Sequence, residues 1–266
     1  MVGVIGDPVV HSRSPVIHNA AFAACGLDWV YVAFPVPAGQ GRAAVTAVRT
    51  LGIAGLSVTM PHKAEAASAC DELTPSAEAL GAVNTVVNRS GHLVGDSTDG
   101  AGLVAALAEH GVDPAGRRVL VLGAGGAARA IVDALGRAHA TVTVAARRGD
   151  AGARAAALAP GATAIGFTGL DAAVGAADVV VNATPIGMGG EAPPFDPARL
   201  RPDQFVYDTV YHPSPTPLLA AANERGIPAA GGVSMLVHQA ALAFTIWTGE
   251  PAPLEVMRAA AVEGEG

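Results

Sequence analysis

Lys63 closes the stretch SVTMPHK (57–63) and is the only lysine in the chain; the other fifteen of its 16 basic residues are arginine. The distinction is chemical. Arginine stays protonated in proteins, whereas a lysine can give up and regain a proton when its surroundings lower its pKa. Two readings follow. Lys63 is a solvated lysine at the start of a helix, or it occupies a position where a removable proton is required.

Other small polar clusters interrupt the apolar sequence around it. HSRSP (11–15) presents His11, Ser12 and Ser14 between a strand and a helix beginning at Pro15. Hydroxyls at i and i+2 in extended backbone point to one side, while Ser14 before Pro15 also reads as an N-cap. Thr59 lies in SVTMPHK, Asn84 in GAVNT (81–85), Asp96 and Asp99 in GDSTDG (95–100), and Gln239 in MLVHQAA (235–241). Neutral donors and acceptors with one lysine and a carboxylate suit a polyhydroxylated small molecule better than a metal. The eight histidines are dispersed and the two cysteines form no CxxC, so no metal site is expected.

A second chemistry is encoded by GAGGAARA (123–130), which follows the strand pattern RVLVLG and opens a helix. With a second strand about twenty residues on, this is a dinucleotide fingerprint in its required context. Gly123 permits the tight turn, Gly125 lets backbone approach a pyrophosphate, and the helix start offers unpaired N–H groups. Ala128 stands where a third glycine is frequent. The next strand ends VAARRGD, with Ala146, Arg147 and Arg148 where an NAD site would place an acid for the ribose hydroxyl. Guanidinium groups recognise phosphate, so NADP is expected rather than NAD; Asp150, slightly further on, is the one opposing feature.

The elements that must position these groups follow from periodicity. Strands are expected at 2–6, 29–34, 55–60 and 83–88, with helices at 15–25, 39–51, 62–70 and 100–110. The second half repeats the alternation, with strands at 118–123, 140–146, 178–183 and 204–209 and helices near 126–137, 150–158 and 216–225. Alternating β and α implies an α/β fold with mostly parallel sheet covered on both faces. Composition shifts near 95–100 and 229–234 divide the chain into two lobes with a cleft between them. These are a discontinuous α/β substrate domain (1–98 and 233–266) and a Rossmann-type dinucleotide domain (99–232).

A net charge of -7 without basic runs argues against nucleic acid. Residues 226–249 carry no formal charge, but Pro228, Gly231, Gly232, His238 and Gln239 interrupt them, and apolar positions recur with helical spacing from Val233. A buried helix is expected rather than a membrane span. The N-terminus reads directly as a strand, without the basic start of a signal peptide. Isolated cysteines fit a reducing, cytoplasmic setting.

The ordered set HSRSPVIHN, SVTMPHK, GAVNT, GDSTDG, GAGGAARA, NATPIGM, YDTVY and MLVHQAA resembles the shikimate dehydrogenase family, from residue 11 to about 241. The resemblance implies reversible NADPH-dependent reduction of 3-dehydroshikimate to shikimate in chorismate and aromatic amino-acid biosynthesis. It implies Lys63 and Asp99 as the catalytic pair and Ser12 and Ser14 on the substrate carboxylate. Thr59, Asn84 and Gln239 would bond ring oxygens, with Tyr211 nearby. Gly123, Ala124, Gly125, Gly126 and Ala127 would cradle the pyrophosphate, and Ala146, Arg147 and Arg148 would meet the adenosine phosphate. Thr209 and Gly232 would line the nicotinamide, in a monomer or homodimer. Three positions depart from the family pattern: Ser57 and His62 stand where Asn and Phe are frequent, and Ser97 where Asn is. Three alternatives therefore stand beside this reading: a quinate/shikimate dehydrogenase, an aminoshikimate-type enzyme, and a non-catalytic NADP-binding sensor.

Overall fold

The computed structural model describes residues 1–263. The chain forms two compact units, residues 1–102 with 237–266 and residues 103–236.

The first unit opens with β1 (Val2–Gly6), α1 (Ser14–Ala24), β2 (Tyr31–Pro35), α2 (Gly41–Leu51) and β3 (Gly55–Val58). It continues through α3 (Lys63–Ala67), β4 (Glu72–Leu73), α4 (Pro75–Leu80), β5 (Thr85–Arg89) and β6 (His92–Asp96) to α5 (Asp99–Glu109). Its six strands run in the order β2-β1-β3-β5-β6-β4. Pairing is mostly parallel, as expected; the exception is β5, antiparallel to both β3 and β6. The two-residue turn Ser90-Gly91, both with positive φ (55° and 94°), folds β6 back on β5 as a tight hairpin.

In this sheet Val2, Tyr31 and Gly55 share one register row, and Val4, Ala33 and Ser57 the next on the same face. The opposite face buries Ile5, Leu56, Val58 and Val86 with Val45 and Val48 of α2. Tyr31's face carries an aromatic cluster instead. His18 of α1 stacks on Tyr31 with centroids 4.5 Å apart and planes within 5°. Trp247 lies 5.9 Å from Tyr31 and donates its indole N–H to Val86 O at 2.9 Å. Gly55 makes that contact possible, since a Cβ there would lie 2.3 Å from the Trp247 Nε1.

The second unit alternates β7 (Arg118–Leu122), α6 (Gly126–Arg137), β8 (Thr141–Ala145), α7 (Gly149–Ala156) and β9 (Thr163–Ile165). Next come α8 (Leu170–Ala176), β10 (Val179–Asn182), β11 (Phe205–Asp208), α9 (Pro217–Glu224) and β12 (Ala229–Gly231). The order β12-β11-β10-β7-β8-β9 is parallel throughout. It is the doubly wound arrangement, whose winding reverses between β7 and β10. Both faces are buried, Val119, Val121, Ile131 and Val181 on one and Leu120, Leu122, Val180 and Val206 on the other.

The chain leaves the first unit within α5 and returns within α10 (Val233–Thr248), before α11 (Leu254–Val262) ends the described residues. The uncharged segment 226–249 thus supplies β12 and α10, and no helix among the described residues is long and apolar enough to cross a membrane.

Arg118 and Asp178 tie the entrances of β7 and β10 together. The guanidinium holds both carboxylate oxygens, with Nη2 to Oδ1 at 2.6 Å and Nε to Oδ2 at 3.2 Å, and Arg118 N–H adds a third bond at 2.9 Å. This pairing lowers the Asp178 carboxyl from 3.8 to about 2. A depressed carboxylate contributes stability above its unfolded value and loses it as pH falls through its folded value. Asp178→Asn is therefore expected to lower the melting temperature at neutral pH, with the gap to the parent protein closing between pH 3.8 and about 2. Calorimetry across that range checks it; an unchanged gap at the acid end would remove the ion pair's contribution.

Candidate functional site

The first site is built where β3, β5 and β6 reach their ends. Lys63 begins α3 and Asp99 begins α5, and Lys63 Nζ donates to Asp99 Oδ2 at 2.5 Å. Asn84 Nδ2 donates to the other oxygen, Asp99 Oδ1, at 2.7 Å, so both carboxylate oxygens have a fixed donor. Asn84 is itself locked. Its side-chain oxygen accepts from Thr98 N–H at 2.8 Å and Thr85 Oγ1 at 3.0 Å, while its amide reaches Thr98 Oγ1 at 2.9 Å. Asn84, Thr85 and Thr98 are all buried. Backbone bonds add Val83 N–H to Lys63 O at 2.9 Å and Asn84 N–H to Asp96 O at 3.0 Å. Asp96 is a structural acid: its Oδ1 accepts from Thr74 Oγ1 and Ser97 N–H at 2.6 and 2.7 Å.

Lys63 and Asp99 keep 24% and 14% of their side-chain surface accessible. The pair is therefore rigid from behind and reachable from one side. An ammonium has three donors, so two remain after the bond to Asp99, and a bound hydroxyl or carbonyl could share Lys63 with the carboxylate.

The remaining expected residues of this unit fall around the pair. Thr59 follows β3, its N–H bonded to Ile5 O at 3.0 Å and its methyl against Gly6, where a Cβ would lie 2.4 Å away. Gln239 of α10 crosses α5 at Gly102, where a Cβ would meet its backbone N at 3.0 Å; Gly102 lies one turn beyond Asp99, on the same helix face. Ser12 Oγ accepts from Ser14 N–H at 3.3 Å. The expected Ser14 cap is corrected: α1 begins at Ser14 itself, and the residue before it, Arg13, makes no side-chain cap bond. His62 is also clarified. Its buried ring bonds Val36 O at 2.7 Å and fills the space above Gly41, so it anchors the entrance of α3 from behind Lys63.

In the second unit, Gly123 has φ of 113°, and a Cβ there would lie 2.8 Å from Ala183 O; only glycine satisfies both conditions. Gly125 and Gly126 differ, since nothing stands within 4 Å of a Cβ at either. Gly125 forms the N-cap of α6 with no side-chain bond and no acid in the first turn, so the opening N–H groups of a full helix face open space. The adjoining cavity holds about 570 Å³ and is lined by Gly123, Ala124, Gly125, Ala146, Arg147 and Arg148, with Thr184 opposite. It sits at the winding reversal, where such sheets bind ligands. Ala127 follows in the first turn of α6, and Ala128 is fully buried in the core.

Asp150, the opposing feature in the sequence, turns to Arg154 at 2.9 Å. No carboxylate lines the cavity beside Arg147 and Arg148. These residues fit a dinucleotide with a phosphate on its adenosine ribose.

The loop after β10 is held by a buried carboxylate that sequence reading did not single out. Asp208 accepts from Asn182 Nδ2 at 2.8 Å, Thr216 Oγ1 at 2.7 Å and Val210 N–H at 3.0 Å. Burial pushes its carboxyl up despite these donors. Asn182 Oδ1 in turn accepts from Thr184 N–H and Oγ1. Thr209 and Gly232 are brought into direct contact, since a Cβ on Gly232 would lie 2.1 Å from Thr209 O. Tyr211 follows β11 and is partly exposed; it belongs to the second unit, unlike the other expected substrate residues.

The family model for the shikimate dehydrogenase substrate binding domain matches residues 4–86, and that for the shikimate 5'-dehydrogenase C-terminal domain matches 232–262. A shikimate dehydrogenase (NADP(+)) of Moorella thermoacetica is 46% identical, over 97% of this chain and 90% of its own. The crystal structure of shikimate 5-dehydrogenase from Thermus thermophilus in complex with NADP(H) and shikimate superposes with a TM-score of 0.88 at 35% identity, covering 98% and 97% of the two chains. A quinate dehydrogenase from Corynebacterium glutamicum in complex with NAD reaches 0.90 at 32% identity, covering 97% of each chain; backbone shape is thus shared by enzymes of different ring preference. Identity at this level over nearly the whole length decides the family: this chain belongs to the shikimate dehydrogenases.

Proposed function

We propose that the chain catalyses the reversible NADPH-dependent reduction of 3-dehydroshikimate to shikimate, a cytoplasmic step of aromatic biosynthesis, as a monomer or homodimer. Residues 1–98 and 233–266 would carry the substrate and 99–232 the cofactor. The observation that carries the reading is the Lys63–Asp99 pair, 2.5 Å apart, with Asp99 fixed by Asn84. A non-catalytic sensor has no use for such a proton-transfer pair.

When bound, NADPH supplies the hydride. Gly123 to Ala127 would hold its pyrophosphate, Ala146, Arg147 and Arg148 its adenosine phosphate end, and Thr209 and Gly232 would line the nicotinamide side. Ser12 and Ser14 would bind the substrate carboxylate. Thr59, Asn84, Gln239 and Tyr211 would receive the ring oxygens. In reduction, Lys63 Nζ passes a proton to the oxygen of the carbonyl as it becomes an alcohol. In oxidation it takes that proton back. Asp99 holds the ammonium on its Oδ2 side and accepts from the same substrate hydroxyl, so proton donor and reacting oxygen stay in one place.

Two variants test the two halves. Lys63→Arg keeps the charge but cannot lose a proton, so kcat is expected to fall by about 10²–10⁴-fold while the KM for NADP stays level; near-normal turnover would end the proton-transfer role. Arg147→Ala with Arg148→Ala is expected to raise the KM for NADP about tenfold or more and leave NAD unchanged. Both are read from reduced nicotinamide formed when shikimate or quinate is crossed with NADP or NAD. Absence of turnover in every pairing would remove the dehydrogenase assignment, and faster turnover of quinate with NAD would favour the quinate enzyme.

A further inference from the structure

In YDTVY (207–211), successive side chains at the end of β11 alternate between the two faces of the sheet. Asp208 braces the loop after β10 from one face. Tyr207 lies on the other, fully buried in the core of the second unit with Val119, Val121 and Val181. A phenylalanine ring would fill the same space. The oxygen therefore needs a reason of its own, because burying a hydroxyl costs free energy unless it is bonded.

Its bonds go to the turn between β12 and α10. Met235 N–H donates to the Tyr207 hydroxyl oxygen at 3.0 Å, and that hydroxyl lies 2.9 Å from Ser234 Oγ. Ser234 O–H donates to Gly231 O at 3.3 Å. A serine has one proton to give, so Tyr207 O–H is the donor to Ser234. The bonds run from Met235 N–H through Tyr207 and Ser234 to Gly231 O, and they enclose Gly232 from both sides. Gly232 tolerates no side chain, since a Cβ there would lie 2.1 Å from Thr209 O, and its N–H donates to Val210 O at 3.3 Å. A helix start is ordinarily capped by the side chain just before it. Gly232 precedes α10 and has none to offer, so Tyr207 supplies the capping oxygen from the neighbouring strand.

We propose that Tyr207 is a positioning residue for the nicotinamide end of the cofactor: through Ser234 and Met235 its hydroxyl holds Gly232 against Thr209 from behind, and so fixes the surface these two residues present. Neither Gly232 nor Thr209 O can hold that surface by a side-chain bond of its own. The run of hydroxyls is polarised in one direction, donor to acceptor, and each bond strengthens the next. The inference rests on the proposed reaction, in which Thr209 and Gly232 line the nicotinamide side.

Tyr207→Phe removes one oxygen and keeps the ring. Calorimetric titration of the full chain is expected to show NADP binding weakened about five- to tenfold. Adenosine 2′,5′-bisphosphate, which carries the phosphorylated adenosine end and no nicotinamide, should bind as it does to the parent protein. A merely structural tyrosine would weaken both ligands alike. Ser234→Ala breaks the same run of bonds and is expected to reproduce the split, with little added when the two substitutions are combined, because they act as one unit. The inference is overturned if Tyr207→Phe binds NADP as tightly as the parent, if NADP and the bisphosphate weaken by the same factor, or if the two single effects multiply in the double variant. Gly232→Ala separates this inference from the reading beneath it. If Gly232→Ala binds both ligands as the parent does, the nicotinamide assignment itself fails. If it weakens NADP alone and Tyr207→Phe does not, that assignment stands and only the role of Tyr207 fails.

Discussion

The carboxylate of Asp99 is the point on which the first site depends. One oxygen meets Lys63 and the other Asn84, and these three residues come from separate stretches of sequence. An acid with both oxygens committed cannot swing, and the lysine bonded to it is held in direction as well as distance. The cost is a set of buried polar groups, met by Thr85 and Thr98, each bonded within the same network. The hairpin of β5 and β6 serves this arrangement. At its open end it brings Asn84, just before β5, beside Asp96 at the close of β6, in a sheet that would otherwise be parallel.

Close backbone approach is the second constraint, and glycine meets it in each unit. Gly55 admits the Trp247 indole, Gly102 admits α10 at Gln239, Gly123 admits the Ala183 carbonyl, and Gly232 admits Thr209 O. Gly125 and Gly126 serve differently, by leaving open the space a phosphate would occupy. The same residue type thus closes the packing behind a site and keeps its front empty.

Buried polar side chains divide into two groups. Asp208, Asn182 and Thr216 saturate one another and brace the loops beyond β10 and β11. The other group is smaller: His18 Nδ1 is buried with no hydrogen-bond partner among the described residues.

The sequence by itself determined the alternation of strands and helices, the glycine turn before α6 and the placing of Ala146, rather than an acid, directly after β8. Each is written in a local stretch, where period and turn chemistry act over a few residues. It also singled out Lys63, through composition and the motif around it. The strands β4, β6, β9 and β12 and the helices α4, α8 and α11 were less legible: they are short or weakly periodic, and several exist only because a neighbour pairs or covers them. Tertiary structure alone decided that Asn84 grips Asp99, that Asp150 turns to Arg154, that His62 bonds Val36 O, and that His18 stacks on Tyr31. Each of these is a meeting of side chains distant in sequence or of competing partners, and direction in space is not carried by residue type.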